Sequence, residues 1–371
     1  MRIALLELRR RPGRFVTASI ILTLIALLLL FLGGLLDGLI NTSTAALRAQ
    51  RGDLIVYSST SESSFVRSRI DPSLRQTVAA VPGVTEVGGI GVAQLGARVP
   101  GNGPRDLADV ALFGYEIPPT AVDEPPADGE VIADEVLKSD GVEQGMVLEL
   151  GPARTPVTVV GFTTDTSFNG QGSLWGSAAT WRDVQNANRP DAAVADGVFQ
   201  SLVVVADGSV APGKLAADID AATAGATDTL TITAAIDAIP GVTEQRGVFN
   251  QILGVTVLIA VVVVALFFAL LTVERTGLYG VLKAIGGRSR TLFGGLVLQA
   301  VVVTLIAAAI GGGLALLLDV AIPPGALPFD LSVGRIVLSV LLLLFAAVIG
   351  CAFSLRRVLR VDPASAIGSA S

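Results

Sequence analysis

The side chains that carry most enzyme chemistry are scarce in this sequence. The 371-residue chain has no histidine, and so lacks the commonest general base and metal ligand. Its one cysteine, Cys351, sits in an apolar run and can form no internal disulfide. The acid pairs Asp123/Glu124 and Asp134/Glu135 are adjacent in sequence. Neighbours on a helix point in different directions, so both pairs read as solvated surface acids. There is no metal-ligand spacing and no G-x-x-x-x-G-K-[ST] phosphate loop. The expectation is a chain with no catalytic residues, no metal site and no cofactor of its own, in which any nucleotide is held by a partner.

Ordered patterning appears instead in "ERTGLYGVLKAIGGRSRTLF". Leu278, Val281, Leu282 and Ile285 recur at helical spacing. Glu274, Arg275, Lys283, Arg288 and Arg290 form the charged face, and Gly286 and Gly287 supply a stop. A connecting loop needs no such stripe, whereas a helix that docks on a partner does. The opening "MRIALLELRRRPGRF" likewise sets Ile3, Leu5, Leu6 and Leu8 among arginines. That is the pattern of a short amphipathic helix lying on a membrane surface.

These segments border four stretches free of Asp, Glu, Lys and Arg, at 15–36, 247–273, 291–318 and 336–355. Each supplies about the 20 apolar residues that cross a bilayer core, and the first is too long for a signal peptide. Hydrophobic residues make up 51% of the chain and charged residues 16%, against about 25% charged in soluble domains. The expected class is an α-helical membrane protein. Four transmembrane helices flank a large mixed α/β extracytoplasmic domain between helices 1 and 2. The divisions are 1–14 (interfacial helix), 15–40 (first span), 41–245 (outer domain), 246–273 (second span) and 274–290 (cytoplasmic helix). They continue as 291–318 (third span), 319–335 (outer loop), 336–355 (fourth span) and 356–371 (tail).

Charge sets the orientation. Segments 1–14, 274–290 and 356–371 together hold twelve basic and three acidic residues, while 37–246 holds thirteen basic and twenty-seven acidic. By the excess of Lys and Arg on cytoplasmic segments, both termini lie inside and the large insertion outside a plasma membrane. The overall charge of −6 argues against nucleic acid as a partner.

Within the insertion, "VLELG", "TPVTVVGFT", "LVVVA" and "TLTITAA" read as strands, and "KLAADIDAATA" and "AAIDAIPGV" as short helices. The V-P-G-V and I-P-G-V units each follow a helical stretch, which hints at a duplication, although Pro-Gly is also an ordinary helix stop.

"ERTGLYGVLKAIGGRSRTLFGGLVLQA", the closing "RRVLRVDPASAIG" and the opening "LLELRRRPGRF" together resemble the FtsX/MacB-type permeases of ABC transporters. "GVLKAIG", "LVLQ", "LPF" and "VDPASAIG" are similar to those of the compact Gram-positive haem-exporter permeases. The resemblance implies a mechanotransmission permease: a homodimer in membrane lipid, worked by two copies of a separate ATPase that binds ATP and Mg. Its cargo would be a hydrophobic or amphipathic molecule such as haem, a lipid or a drug-like compound. The family's alternative role is FtsX-like signalling, which activates an extracytoplasmic cell-wall hydrolase without transport. ATPase coupling would fall on Glu274, Arg275, Leu278, Val281, Leu282, Lys283, Ile285 and Gly286. Candidate substrate-entry residues at the outer ends of the first two spans are Phe31, Asp37, Phe249, Asn250 and Gln251. Haem iron would need an oxygen ligand such as Asp37 or Tyr57, or none. Gly33 and Gly34 could admit a partner helix or one from the same chain.

Overall fold

The computed structural model describes residues 13–103, 105–122, 125–274, 289–322 and 327–359. Four long helices correspond to the four apolar stretches: α1 (Gly13–Arg48), α6 (Val242–Glu274), α7 (Ser289–Ala321) and α8 (Val333–Leu359). Each contains a segment long and apolar enough to span a membrane. They form one compact unit, and residues 39–245 form most of the other. Residues 1–12, most of the 274–290 segment and the tail from Arg360 lie outside the described residues.

In the helical unit, small residues face one another at the centre. Ala26 and Leu29 of α1, Ala260 of α6, Ala308 of α7 and Ala346 of α8 share one buried cluster. Leu22, Phe268, Val303 and Ala347 share a second. Large apolar residues such as Leu258, Leu266, Leu317 and Phe345 stay exposed on the outside. A helix apolar all round is at home only where lipid or another chain surrounds it, so this unit is a membrane protein.

The inserted domain is built on a nine-stranded sheet among the described residues. Its strands are β1 (Leu54–Ser58), β2 (Val84–Arg98), β3 (Leu107–Tyr115), β4 (Glu130–Asp134), β5 (Val147–Leu150), β6 (Thr155–Thr163), β7 (Gly172–Ser177), β8 (Ser201–Ala206) and β9 (Thr227–Thr231). The order is β3-β7-β4-β6-β5-β2-β8-β1-β9, and β3 also pairs with β2. Six strands therefore close a ring, and β8, β1 and β9 extend from it. Alternation places the two faces of β3 in different cores. Ala108, Val110 and Leu112 lie in one, and Ala111, Phe113 and Tyr115 in the other, as a period of two requires. Helices α2 (Pro72–Ala79) and α4 (Pro212–Ala222) cover the Leu54, Val56, Leu202 and Val204 side of the extension. Helices α3 (Ala178–Asn188) and α5 (Ile232–Asp237) complete the domain.

One sequence reading changes, and the Pro-Gly units take the ordinary reading. "TLTITAA" is a strand only to Thr231, whose hydroxyl then caps α5 by accepting from Ala234 N at 3.2 Å. The two Pro-Gly units also diverge: the first leads into β2 and the second into α6, so each is an ordinary helix stop.

Candidate functional site: the ends of the spans

Of the residues singled out from sequence, Phe31 and Asp37 meet two partners, Phe329 and Arg335, that sequence reading did not place at a site. Arg335 grips Asp37 with two nitrogens. Its Nε donates to Asp37 Oδ2 at 3.0 Å, and Nη2 donates to Oδ1. The side chains are 13% and 22% exposed. Phe31 stacks on Phe329 with ring centroids 5.6 Å apart. Gly33 and Gly34 are what allow this approach. A Cβ on Gly33 would lie 2.5 Å from Arg335 Cδ, and one on Gly34 would lie 2.5 Å from Phe329 Cε2. Both glycines are thus taken up within the chain. Asp330 N completes the junction by donating to Gly34 O at 3.1 Å.

The other entry candidates are not part of this cluster. Phe249 is half-buried, and Asn250 and Gln251 are exposed on α6. Among the described residues no hydrogen bond, ion pair or ring contact joins them to Phe31 or Asp37. Neither proposed haem ligand is free. Asp37 is held by Arg335. Tyr57 is 1% exposed in the core, where burial and Asp228 raise its pKa. Among the described residues no group of His, Cys, Asp or Glu could hold a metal ion. Of the coupling residues, Glu274 ends α6, and the other seven lie outside the described residues.

The pair sets up a double-mutant test. Breaking a partly buried ion pair leaves one charge without its partner. Arg335→Gln and Asp37→Asn should each lower the melting temperature in detergent. The double variant should recover most of the loss, with a coupling of about 1–2 kcal/mol. Strictly additive losses would show that the pair does not hold α1 to α8.

Inside the inserted domain a second arrangement concerns the last turns of α1. A loop at 165–170 bonds to the helix backbone itself. Ala46 N donates to Ser167 O at 3.0 Å, Asn169 N to Ser43 O at 3.1 Å, and Gly170 N to Thr42 O at 3.1 Å. Ala46 N and Thr42 O belong to the helix's own hydrogen-bond ladder, so the loop is fastened to the backbone of the helix rather than to its side chains.

The loop is tied down from the other side by Asp134, at the end of β4. Its Oδ2 accepts from Thr166 N at 3.3 Å, Thr166 Oγ1 at 3.1 Å and Ser167 Oγ at 2.9 Å. Its Oδ1 accepts from Val136 N at 3.1 Å. Asp134 is 1% exposed, which corrects its reading as a surface acid. Ala46 and Leu47 share a buried cluster with Tyr57, Phe113, Trp175, Ile239 and Val242. The end of α1 and the start of α6 therefore join one core.

The comparisons follow this geometry. Residues 250–363 match the model of the FtsX-like permease C-terminal domain. The hemin transport system permease HrtB of Staphylococcus haemolyticus is 34% identical over 125 residues, which is 34% of this chain and 35% of the relative. An HrtB of Staphylococcus epidermidis is 22% identical over 369 residues, 99% of each chain. An uncharacterized ABC transporter permease of Mycobacterium tuberculosis is 41% identical over 117 residues, 30% of this chain and 31% of the relative. Among solved structures, the periplasmic region of MacB from Actinobacillus actinomycetemcomitans has a TM-score of 0.36 at 11% identity. It covers 52% of this chain and 94% of its own. The extracellular domain of YknZ has a TM-score of 0.32, with 49% and 99% covered. The segment 250–363, which holds most of three of the four long helices, is thus similar to FtsX-like permeases of the ABC transporter class.

Proposed function

We propose that the chain is the membrane subunit of an ABC exporter, driven by ATP that a separate pair of ATPase subunits hydrolyses. In this reading the 274–290 segment docks on the ATPase, and the inserted domain lies outside the plasma membrane with both termini inside. The charge balance of the segments supports that orientation. Two copies would pair, as symmetric assemblies commonly do. The observation that carries the mechanism is the hold of the 165–170 loop on the helix that continues from the first span. In this reading a displacement of α1 would reach the inserted domain through the last turns of the helix, which that domain holds by three backbone bonds and a shared core.

The cargo class is a hydrophobic or amphipathic molecule, and the full-length match to a hemin transport permease makes hemin the first compound to test. Asp37 is paired with Arg335 and Tyr57 is buried in the core, so recognition would rest on the ring and its side groups rather than on the iron. Hemin and iron-free protoporphyrin IX should therefore stimulate ATP hydrolysis by the purified complex to similar extents. A strict requirement for iron would overturn that mode of recognition. Stimulation by neither would remove porphyrins from the cargo class.

A further inference from the structure

A small, partly open cavity lies between α3, β2 and the segment before α2, away from everything the transport reading uses. It measures about 60 Å³, and its polar lining is Arg69, Gln94, Gln185, Arg189 and Gln200. That is room for a group the size of a carboxylate with its own contacts, or for a few waters.

Two features separate it from an ordinary surface dimple. First, Gln185 and Gln200 are 5% and 2% exposed. Gln200 Oε1 accepts from Val92 N at 2.6 Å. Its Nε2 and the whole Gln185 carboxamide make no hydrogen bond among the described residues. These amide groups open onto the cavity, where water or a bound group can take their hydrogen bonds.

Second, the nearby arginines divide into two kinds. Arg67 and Arg182 have carboxylate partners, Glu62 and Asp196. Arg69 and Arg189, the two that line the cavity, have none among the described residues. Arg69 Nη1 bonds only to the carbonyls of Val66 and Ser68, at 3.2 and 2.7 Å. Partial burial without a counter-ion pulls its pKa down. Arg189 is exposed and marks the mouth.

We propose that this cavity binds a carboxylate, held by Arg69 and Arg189 and by the amide donors of Gln185 and Gln200. A planar oxyanion suits arginine forks and paired N–H donors, and the surrounding domain, rich in acids, offers the site no carboxylate of its own. The group could belong to a free small acid or to the acid end of an amphipathic molecule. The inference is independent of the transport reading, and its test needs no ATPase.

Both tryptophans, Trp175 and Trp181, lie in the inserted domain, and Trp181 precedes Gln185 by one helical turn. Full-length protein in detergent is titrated with sodium acetate, with chloride holding the ionic strength constant, while tryptophan fluorescence is followed. A saturable change is expected. Arg189→Gln and Gln185→Leu should each weaken it about tenfold, the scale of one hydrogen bond to a charged group. Both variants should fold, since Arg189 is exposed and leucine fills the Gln185 volume without an unpaired amide. Their melting temperatures without ligand report this. Octanoate in place of acetate identifies the source: tighter binding assigns the acid end of an amphipath, and equal binding assigns a free acid. No saturable response beyond the chloride control, or unchanged affinity in both variants, would overturn the proposal and leave a water-filled cavity.

Discussion

Leu282→Asp should give a permease that inserts normally but no longer works with its ATPase. Leu282 belongs to the stripe of Leu278, Val281 and Ile285, and burying one leucine contributes about 1.5–3 kcal/mol. A carboxylate in its place forfeits that contribution and adds the cost of desolvating a charge. The four spans are untouched, so membrane yield should match wild type. Arg275 and Lys283 would suit an acidic groove on an ATPase, as they would lipid headgroups. Co-purification distinguishes the two. Loss of the ATPase from the complex, or hydrolysis that no longer moves cargo, is the expected result. A variant that keeps its ATPase and transports like wild type would show that the stripe faces the membrane or nothing at all.

Asp134→Asn should weaken the hold of the inserted domain on the last turns of α1. The carboxylate accepts four hydrogen bonds, three of them from Thr166 and Ser167. Asparagine keeps the shape but presents an NH₂ where donors already point. Hydrogen bonds to a charged group contribute about 1.5–3 kcal/mol each, and in a buried network they act together. A loss of roughly 2–3 kcal/mol from the inserted domain is expected, read by thermal or urea unfolding. Because the 165–170 loop is what holds the end of α1, ATP hydrolysis should continue while the response of the inserted domain fades. An equal loss of hydrolysis and response would point to general misfolding instead.

The membrane helices were legible because a bilayer demands about 20 apolar residues whatever surrounds them. Their ends were less so. α1 continues twelve residues past Leu36 to Arg48, because the loop and the core of the inserted domain take over from lipid in holding it. Strand β6 was readable from β-branched residues between turn signals. Strand β2, fifteen residues long, is obscured in sequence by glycines such as Gly89 and Gly91, which weaken a strand pattern. The rings of Phe199 and Trp181 lie where Cβ atoms there would be, a reason that exists only in three dimensions. The site residues missed share one property. Asp134 finds its partners some thirty residues later, and Arg335 finds Asp37 almost three hundred residues earlier. Local spacing carries no trace of either, so one read as a surface acid and the other as a span flank. Phe249, Asn250 and Gln251 lie near a span end in sequence, but no hydrogen bond, ion pair or ring contact among the described residues joins them to Asp37.

The most direct test of force passing through the grip is its covalent replacement. Asn169 N and Ser43 O are 3.1 Å apart, which makes the two positions the natural choice for a cysteine pair, whose bond formation is checked by thiol titration. Ser43→Cys and Asn169→Cys are combined with Asp134→Asn, and a genetically encoded fluorescent amino acid at the exposed position 60 reports on the inserted domain. The ATPase complex is followed in oxidised and reduced forms. The expected result is constant ATP hydrolysis, with an ATP-dependent fluorescence change that is present in wild type and weak in Asp134→Asn. The change should return when the disulfide forms and be lost again on reduction. A full fluorescence change in Asp134→Asn without the disulfide, or no recovery once the bond has formed, would contradict transmission through the 165–170 loop.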